Sequence, residues 1–382
     1  MTRSQPSFLP LAASSEPPLA MRDAIMLSGW GWENFGTPER VCLALASLGA
    51  KVLHCEPPVS VFRAQKPRPL RELRKSIYGI QLRFLSSRAM EVPIVQALQA
   101  TSMRRQISRA AQELKLRDPI LVYAWLSNLF PVAAQMSRDH YSIHLCLDDT
   151  GVDPDYERYV EASDLTLVVP KSCFHKLKAK FGEKVMRIPQ PVDSTRPMPP
   201  DPVCTSEPAE LAGIPRPRLG YLGPALQRLN LPLLVSLLKA HPEWHFVSMG
   251  AGKVASLANA HTLPRVSPED LWRYAEGFNL GFMPYDCYQS FNLHCVPLKL
   301  FEYFALGIPV VSTPIIHLWE YKDLVYFGDT AEELAAAVEA ALNEPADSPK
   351  RAARIEIARG HSLENLATIL GRCLPLEDTE IG

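Results

Sequence analysis

The stretch "HCVPLKLFEYFALGIPVVSTPIIHLWEY", residues 294–321, sets a lysine and a glutamate into the front of an apolar run, then follows with a glycine, a proline and β-branched residues. Pro297 suits the opening of a helix, because the amide it lacks would be unpaired there. Gly307 suits the end, where a left-handed backbone meets no Cβ clash. Between them Leu298, Phe301 and Ala305 line one face, Leu300, Phe304 and Leu306 thicken the apolar side, and Lys299, Glu302 and Tyr303 share the remaining strip. Val310, Val311 and Ser312 then read as a strand, apolar without alternation, as expected of a parallel strand covered on both faces. Charges on a helix packed so close to a sheet must be solvated, paired or turned toward a ligand. On local pattern alone, an exposed Lys299–Glu302 surface pair competes evenly with a binding strip.

Outward from this stretch the same βα alternation recurs. "DAIMLSG", the loop "SGWGWENFGTPER", the helical "RVCLALASLGA" and "KVLHCEPP" form a βαβ unit, and further strands are expected at "PILVYAW", "SIHLCLDD" and "LTLVVP". Proline then concentrates in "IPQPVDSTRPMPPDPVC" and "GIPRPR". Beyond it, strands are expected at "LGYLG", "WHFVSMG", "LGFMPY" and "PVVSTP", with helices at 230–240, 268–276, 298–306, 331–342 and about 349–370. The expected organisation is a tail over 1–20, a Rossmann-like domain over 21–195, a Pro-rich linker over 196–217, a second Rossmann-like domain over 218–372 and a tail over 373–382. Two such α/β, doubly wound domains predict a cleft at the carboxyl ends of their strands, where helix N-termini favour anions.

Composition narrows the setting. The 382 residues are 47% hydrophobic and 21% charged, enough for two cores, and 40 basic against 41 acidic residues leave no nucleic-acid footprint. The eight cysteines are scattered without a CxxC pair, which argues for reduced thiols over a disulfide scaffold or a zinc site. Residues 1–20 are Ser- and Pro-rich, without the apolar core of a secretion signal, and no stretch reads as a membrane span. A cytoplasmic location is expected, with peripheral membrane attachment left open. For attachment the segment "FRAQKPRPLRELRKSIYGIQLRFLSSR" is suggestive: Arg63 to Arg88 holds eight basic residues among Leu73, Ile77, Ile80, Leu82, Phe84 and Leu85. A solvated helix face or loop is the plainer reading.

"VPLKLFEYFALGIPVVSTP" resembles the donor-binding signature of retaining GT-B glycosyltransferases of the GT4-like group (glycosyl transferases group 1). "RLGYLGPALQRLNLPLLVSLLKAHPEWHFVSMGAG" and "LPRVSPEDLWRYAEGFNLGFMPY" resemble segments of their second domain, and "GWENFGTPERVCLALASLGAKVLHCEPP" their first. The resemblance implies two facing Rossmann-like domains of GT-B architecture. It also implies transfer of a sugar from a UDP-, GDP- or ADP-sugar to a hydroxyl acceptor, carbohydrate or lipid-linked, with retention, without a metal and without a cofactor. By position, Glu302 would accept hydrogen bonds from the ribose hydroxyls, Lys299 would meet the diphosphate or sugar, and Arg228 would meet phosphate. The pattern breaks at His294, where relatives often carry a second glutamate, at Cys295 and Val296, and at Gln190 and Pro191, where an Asn-Gly turn is usual.

The first domain would serve the acceptor. Gly29 and Gly31 permit close backbone approach, and Trp30 and Trp32 offer flat faces for stacking, although a tight turn sealed by indoles fits the same letters. Asp148 and Asp149, ending "SIHLCLDD", are candidates to orient an acceptor hydroxyl or hold positive charge near the reacting carbon, and equally to cap the next helix. His144, inside that strand, reads as core. "DPD" at 153–155 matches a metal-holding motif only by three letters, and "SMGAGK" lacks P-loop spacing. A sugar-nucleotide epimerase and a non-catalytic binding protein on a degenerate scaffold are the alternatives.

Overall fold

The computed structural model describes residues 22–63, 66–85, 92–124, 129–149, 156–192, 207–223, 226–250, 254, 256–267 and 270–374. The N-terminal tail, the first half of the Pro-rich connection, "DPD", Lys253 and Arg88 lie outside the described residues. By contacts the chain divides into one unit of Met1–Leu147, Val152–Pro191 and Leu363–Gly382, and another of Asp148–Gly151 and Val192–Ser362.

In the first unit, the βαβ start forms as its letters dictate. β1 (Ala24–Ser28) and β2 (Val52–Ser60) flank the helix Thr37–Ser47, and β1 is buried throughout. β3 (Arg71–Arg74), β4 (Ile77–Phe84), β5 (Ile120–Ala124), β6 (Ser142–Cys146), β7 (Leu165–Val168) and β8 (Val185–Arg187) complete an eight-stranded sheet ordered β3-β4-β2-β1-β5-β6-β7-β8. Every pairing is parallel except β3 with β4. Ile25, Leu27, Leu53, Leu121 and Tyr123 pack with Met103 and Ile107 of the helix Pro93–Glu113.

The basic segment is corrected by this topology. Its middle forms no helix face but an antiparallel hairpin on the sheet edge, since alternation in "RELR" and "IYGIQLRF" follows a period of two, while Arg63, Lys66 and Arg68 lie in the loop that precedes it. Part of its charge is spent locally: Arg68 pairs with Glu33 and Glu56, and Arg71 reaches Glu56 at 2.7 Å.

The second unit is a wholly parallel six-stranded sheet. Its strands β9 (Arg218–Leu222), β10 (His245–Met249), β11 (Ala260–Leu263), β12 (Leu280–Met283), β13 (Val310–Ser312) and β14 (Val325–Phe327) run in the order β11-β10-β9-β12-β13-β14. Its core gathers Leu219, Phe246 and Phe282 from the strands with Phe301 and Phe304 from the helix Leu298–Ala305.

The helix expected over 349–370 is two helices, Pro349–Gly360 and Leu363–Cys373. The break at His361 and Ser362 is held because the His361 carbonyl accepts from the Val192 N–H at 2.6 Å and its ring stacks on Phe301 at 3.8 Å. The second of these helices packs on Thr37–Ser47, so it belongs to the first unit, whereas the expected boundary kept it in the second.

Candidate functional site

In the second unit the helix Leu298–Ala305 begins after Pro297 as expected, and Gly307 ends it with φ of 70°. Burial runs unbroken from Leu300 to Phe304. Glu302 is 8% exposed, so the exposed surface pair does not form. Tyr303 is not part of a ligand-facing strip either. Its hydroxyl donates to the Gly220 carbonyl and accepts from the Leu222 N–H, each at 2.9 Å, which ties the helix to the end of β9.

Lys299 lies one turn earlier, in an aromatic corner. Its Nζ sits 3.7 Å from the Tyr221 ring centroid and 5.3 Å from that of Tyr285. Gly223, at φ of 119°, turns the chain beside it, and a Cβ there would stand 3.4 Å from Nζ. Burial, followed by the neighbouring Arg228 charge, pushes the Lys299 ammonium down to about 7, against the pull of Glu302. The Lys299 charge is thus disfavoured where it stands, and a negative charge beside Nζ would restore it.

Arg228 closes the short 3-10 turn Leu226–Arg228. Its carbonyl accepts from the Asp286 N–H at 2.8 Å and from Asn292 Nδ2 at 3.2 Å, fixing the residue's backbone. Its guanidinium lies 4.2 Å from the Phe291 centroid and 5.8 Å from that of Tyr285. Tyr285 therefore borders both cations. Sequence reasoning missed Tyr221, Tyr285 and Phe291, since isolated aromatics carry no periodic signal and only the strand ends bring them together.

Asp148 and Asp149 are placed otherwise than expected. They cluster with the second unit, not on the acceptor side of the first. The Asp149 N–H donates to the His294 carbonyl at 3.3 Å, and Asp148 Oδ1 accepts from the Val296 N–H at 3.4 Å. Burial raises the Asp148 carboxyl above its ordinary value, with Arg228 and that N–H acting in the opposite sense. His317 Nε2 stands 3.8 Å from Asp149 Oδ2. His294 and Val296, two of the unusual positions, thus hold this acidic pair through their backbone, and Cys295 is buried between them.

In the first unit, the Gly-Trp loop follows β1. Glu39, fully buried, is its anchor: Oε2 accepts from the Gly36 N–H at 2.7 Å, and Oε1 meets Ser28 Oγ at 3.3 Å and His54 Nε2 at 3.1 Å. Gly31 is extended and buried, whereas Gly29 is exposed. Trp32 sets its ring edge-on to His54 at 5.5 Å and to Phe35 at 6.0 Å, sealing the turn. Trp30, 46% exposed, keeps a surface for stacking. Gln190 also has a local cause: its Oε1 accepts from Thr37 Oγ1 at 2.9 Å, while the Pro191 carbonyl accepts from Arg40 at 2.6 Å. His144 is core, with burial lowering it to about 3.

Among the described residues, no group of three or more His, Cys, Asp or Glu side chains is arranged to hold a metal ion, and no helix is long and apolar enough to cross a membrane. Among the described residues no two cysteines form a disulfide.

Residues 228–370 match the model of a glycosyl transferase-like family. An α,α-trehalose-phosphate synthase (UDP-forming) from Burkholderia xenovorans, solved with glucose-6-phosphate, superposes with a TM-score of 0.60 at 13% identity, covering 92% of this chain and 99% of that one. The chain has the GT-B fold. This GT-B chain is also similar to WaaG, a glycosyltransferase involved in lipopolysaccharide biosynthesis, with a TM-score of 0.55 at 14% identity over 91% of this chain and 98% of that one. By sequence it is 28% identical over 158 residues to a Bacillus subtilis (strain 168) protein named as a teichuronic acid biosynthesis glycosyltransferase, TuaH. That match spans 37% of this chain and 38% of the relative, little more than a third of the relative's length.

Proposed function

We propose that the protein is a glycosyltransferase that moves a sugar from a nucleoside-diphosphate sugar to a hydroxyl acceptor on a polysaccharide or glycolipid. The observation that carries this reading is the helix Leu298–Ala305, which brings a buried glutamate and a charge-depressed lysine beside Arg228, within the residues matched by the glycosyl transferase-like family. Lys299 and Arg228 take the charge that develops on the leaving diphosphate, and their aromatic walls limit competition from water. Glu302 accepts hydrogen bonds from the ribose hydroxyls. Two cations already in place can serve the leaving group in a metal-independent reaction, and the GT4-like resemblance supports retention. Asp148, held near Arg228, sets the guanidinium rather than receiving the acceptor. Trp30 offers the acceptor a stacking face. The names of WaaG and TuaH support a cell-envelope polysaccharide or glycolipid product.

Calorimetry against UDP-, GDP- and ADP-sugars tests the donor. Glu302→Gln keeps size and helix propensity while removing a charge, and donor affinity is expected to weaken by about 1–3 kcal/mol with the fold intact. Unchanged affinity refutes the ribose role. A product formed from the nucleotide sugar without any acceptor would favour epimerisation instead.

A further inference from the structure

A groove in the second unit opens beside Arg228 and is lined by none of Lys299, Glu302, Tyr221 or Tyr285. Gln227 and residues 229–232 form one wall, and Asp286 and Tyr288 form the other. The two walls are fixed to each other through the backbone. Leu229 bridges Tyr285 in antiparallel fashion, the Asp286 N–H donates to the Arg228 carbonyl at 2.8 Å, and the Asn230 N–H donates to the Pro284 carbonyl at 2.8 Å. Asn292 Nδ2 holds the same turn by donating to the Asp286 carbonyl at 3.0 Å. The groove offers about 740 Å³, within the range of small-molecule sites, and the fold sets its walls before anything binds.

Its lining combines a flat apolar part with a polar rim. Tyr288 is 91% exposed, more than any other large hydrophobic side chain among the described residues, so its ring adds little burial to the fold. Its backbone is nevertheless held, because its N–H donates to Asp286 Oδ1 at 3.2 Å. Leu231 and Pro232 continue the apolar surface across the groove. The polar groups are of both kinds. Asp286 also accepts from Gln289 Nε2 on Oδ2 at 2.8 Å, and each carboxylate oxygen keeps room for a further donor. Asn230 Oδ1 caps the helix Leu231–Ala240 by accepting from the Leu233 N–H at 3.1 Å, which leaves its Nδ2 without a partner among the described residues. Gln227 is exposed and brings a second amide. Among the described residues no lysine or arginine lines the groove, since the Arg228 guanidinium is turned onto Phe291 and Tyr285, and the Asp286 carboxylate disfavours an anion there. A ligand that suits these walls has an apolar face for an aromatic ring, hydroxyls that both donate and accept, and no negative charge. A sugar ring meets all three conditions.

We infer that this groove binds a neutral glycan, with a ring face on Tyr288 and hydroxyls on Asp286, Asn230 and Gln227. Taking that glycan as the acceptor chain rests on the transfer reading above, whereas glycan binding itself does not. The groove is also separate from the donor's place, which that reading assigns to Lys299, Glu302 and Arg228.

Saturation-transfer NMR of the full chain tests it, with neutral tetrasaccharides of glucose, mannose and N-acetylglucosamine as probes and a galacturonic acid tetrasaccharide for comparison. Transfer is expected to at least one neutral probe and to be weak for the acidic one. Tyr288→Ala with Gln227→Ala should weaken neutral-glycan binding by about 10-fold or more, from one lost stacking face and one lost hydrogen-bonding group. Far-ultraviolet circular dichroism and the thermal midpoint should not move, because both side chains are exposed. Tyr288→Phe keeps the ring face and should keep most of the binding. A nucleotide sugar that binds by calorimetry should not displace the glycan. The inference is overturned if the wild type binds no neutral probe or prefers the acidic one, if the double variant binds like the wild type, if Tyr288→Phe loses as much as the double variant, or if the donor displaces the glycan. The transfer reading is scored separately by the same calorimetry. Donor bound without any glycan sinks the groove alone, whereas glycan bound without any donor upholds the groove and removes its acceptor role.

Discussion

Donor binding should take up a proton. Lys299 stands at about 7 in the free protein because burial, and then Arg228, disfavour its charge. A diphosphate beside Nζ supplies the missing counter-charge and raises the lysine toward its ordinary value. A sugar diphosphate diester stays anionic throughout the neutral range, so the lysine carries the titration. At pH 7 about half of the free molecules hold neutral lysine, and binding should take up about half a proton. Between pH 7 and 8.5 the affinity should fall roughly 15-fold, about 1.6 kcal/mol, as protonated free protein becomes scarce. Calorimetry in two buffers of different ionisation enthalpy reads the proton directly. Lys299→Arg should bind with a flat profile across this range, and Lys299→Met should bind weakly and flatly. The stability of the free protein carries the opposite sign. The folded pKa lies below that of an unfolded lysine, so between pH 7 and the ordinary lysine range the unfolded chain binds more protons and this group's contribution to stability rises with pH. Lys299→Met should abolish that rise. Donor affinity independent of pH in the wild type, or the same slope in Lys299→Arg, refutes the reasoning.

Other perturbations act on separate parts of the chain. Tyr303→Phe removes the hydroxyl shared by Gly220 and Leu222 and leaves a buried N–H and carbonyl with one partner fewer, so urea unfolding should show a loss of about 1–3 kcal/mol. Arg354, fully buried, holds Glu344 through two bonds of 2.7 and 2.6 Å. Arg354→Met removes the charge partner of that carboxylate and leaves it the Tyr326 hydroxyl at 2.7 Å, and a destabilisation of about 3–5 kcal/mol is expected in the same assay, with partial recovery in Arg354→Met with Glu344→Gln. If Lys299 and Arg228 alone serve the leaving group, transfer should persist in EDTA. A loss reversed by manganese or magnesium would refute metal independence.

How much of this was legible before folding differs from residue to residue. Pro297, Gly307 and the Val310–Ser312 run determined a helix, a stop and a parallel strand, because those features depend on backbone freedom and on which neighbours are apolar within a few positions. The 331–342 helix was legible for the same reason, as an uninterrupted Ala- and Glu-rich run whose cap is Thr330. The hairpin β3–β4 was not, since its alternation is interleaved with arginines that resemble a solvated face until Glu33 and Glu56 fold against them. The last helix could not be assigned to a unit from its letters, because an amphipathic face specifies that a partner exists but not which one. Site chemistry divides along the same line. Lys299, Glu302 and Arg228 could be chosen from motif and spacing. The depressed lysine could not, because it depends on Tyr221, Tyr285 and Arg228, which are distant in the chain and meet only at strand ends. Asp148 and Asp149 lay next to a first-unit strand in sequence, yet tertiary hydrogen bonds from the backbone at 149 and 296 drew them to the second unit. Covalent neighbourhood determines what local structure a residue prefers, whereas charge, burial and partner are properties of the space around it, and that space is filled by residues far away along the chain.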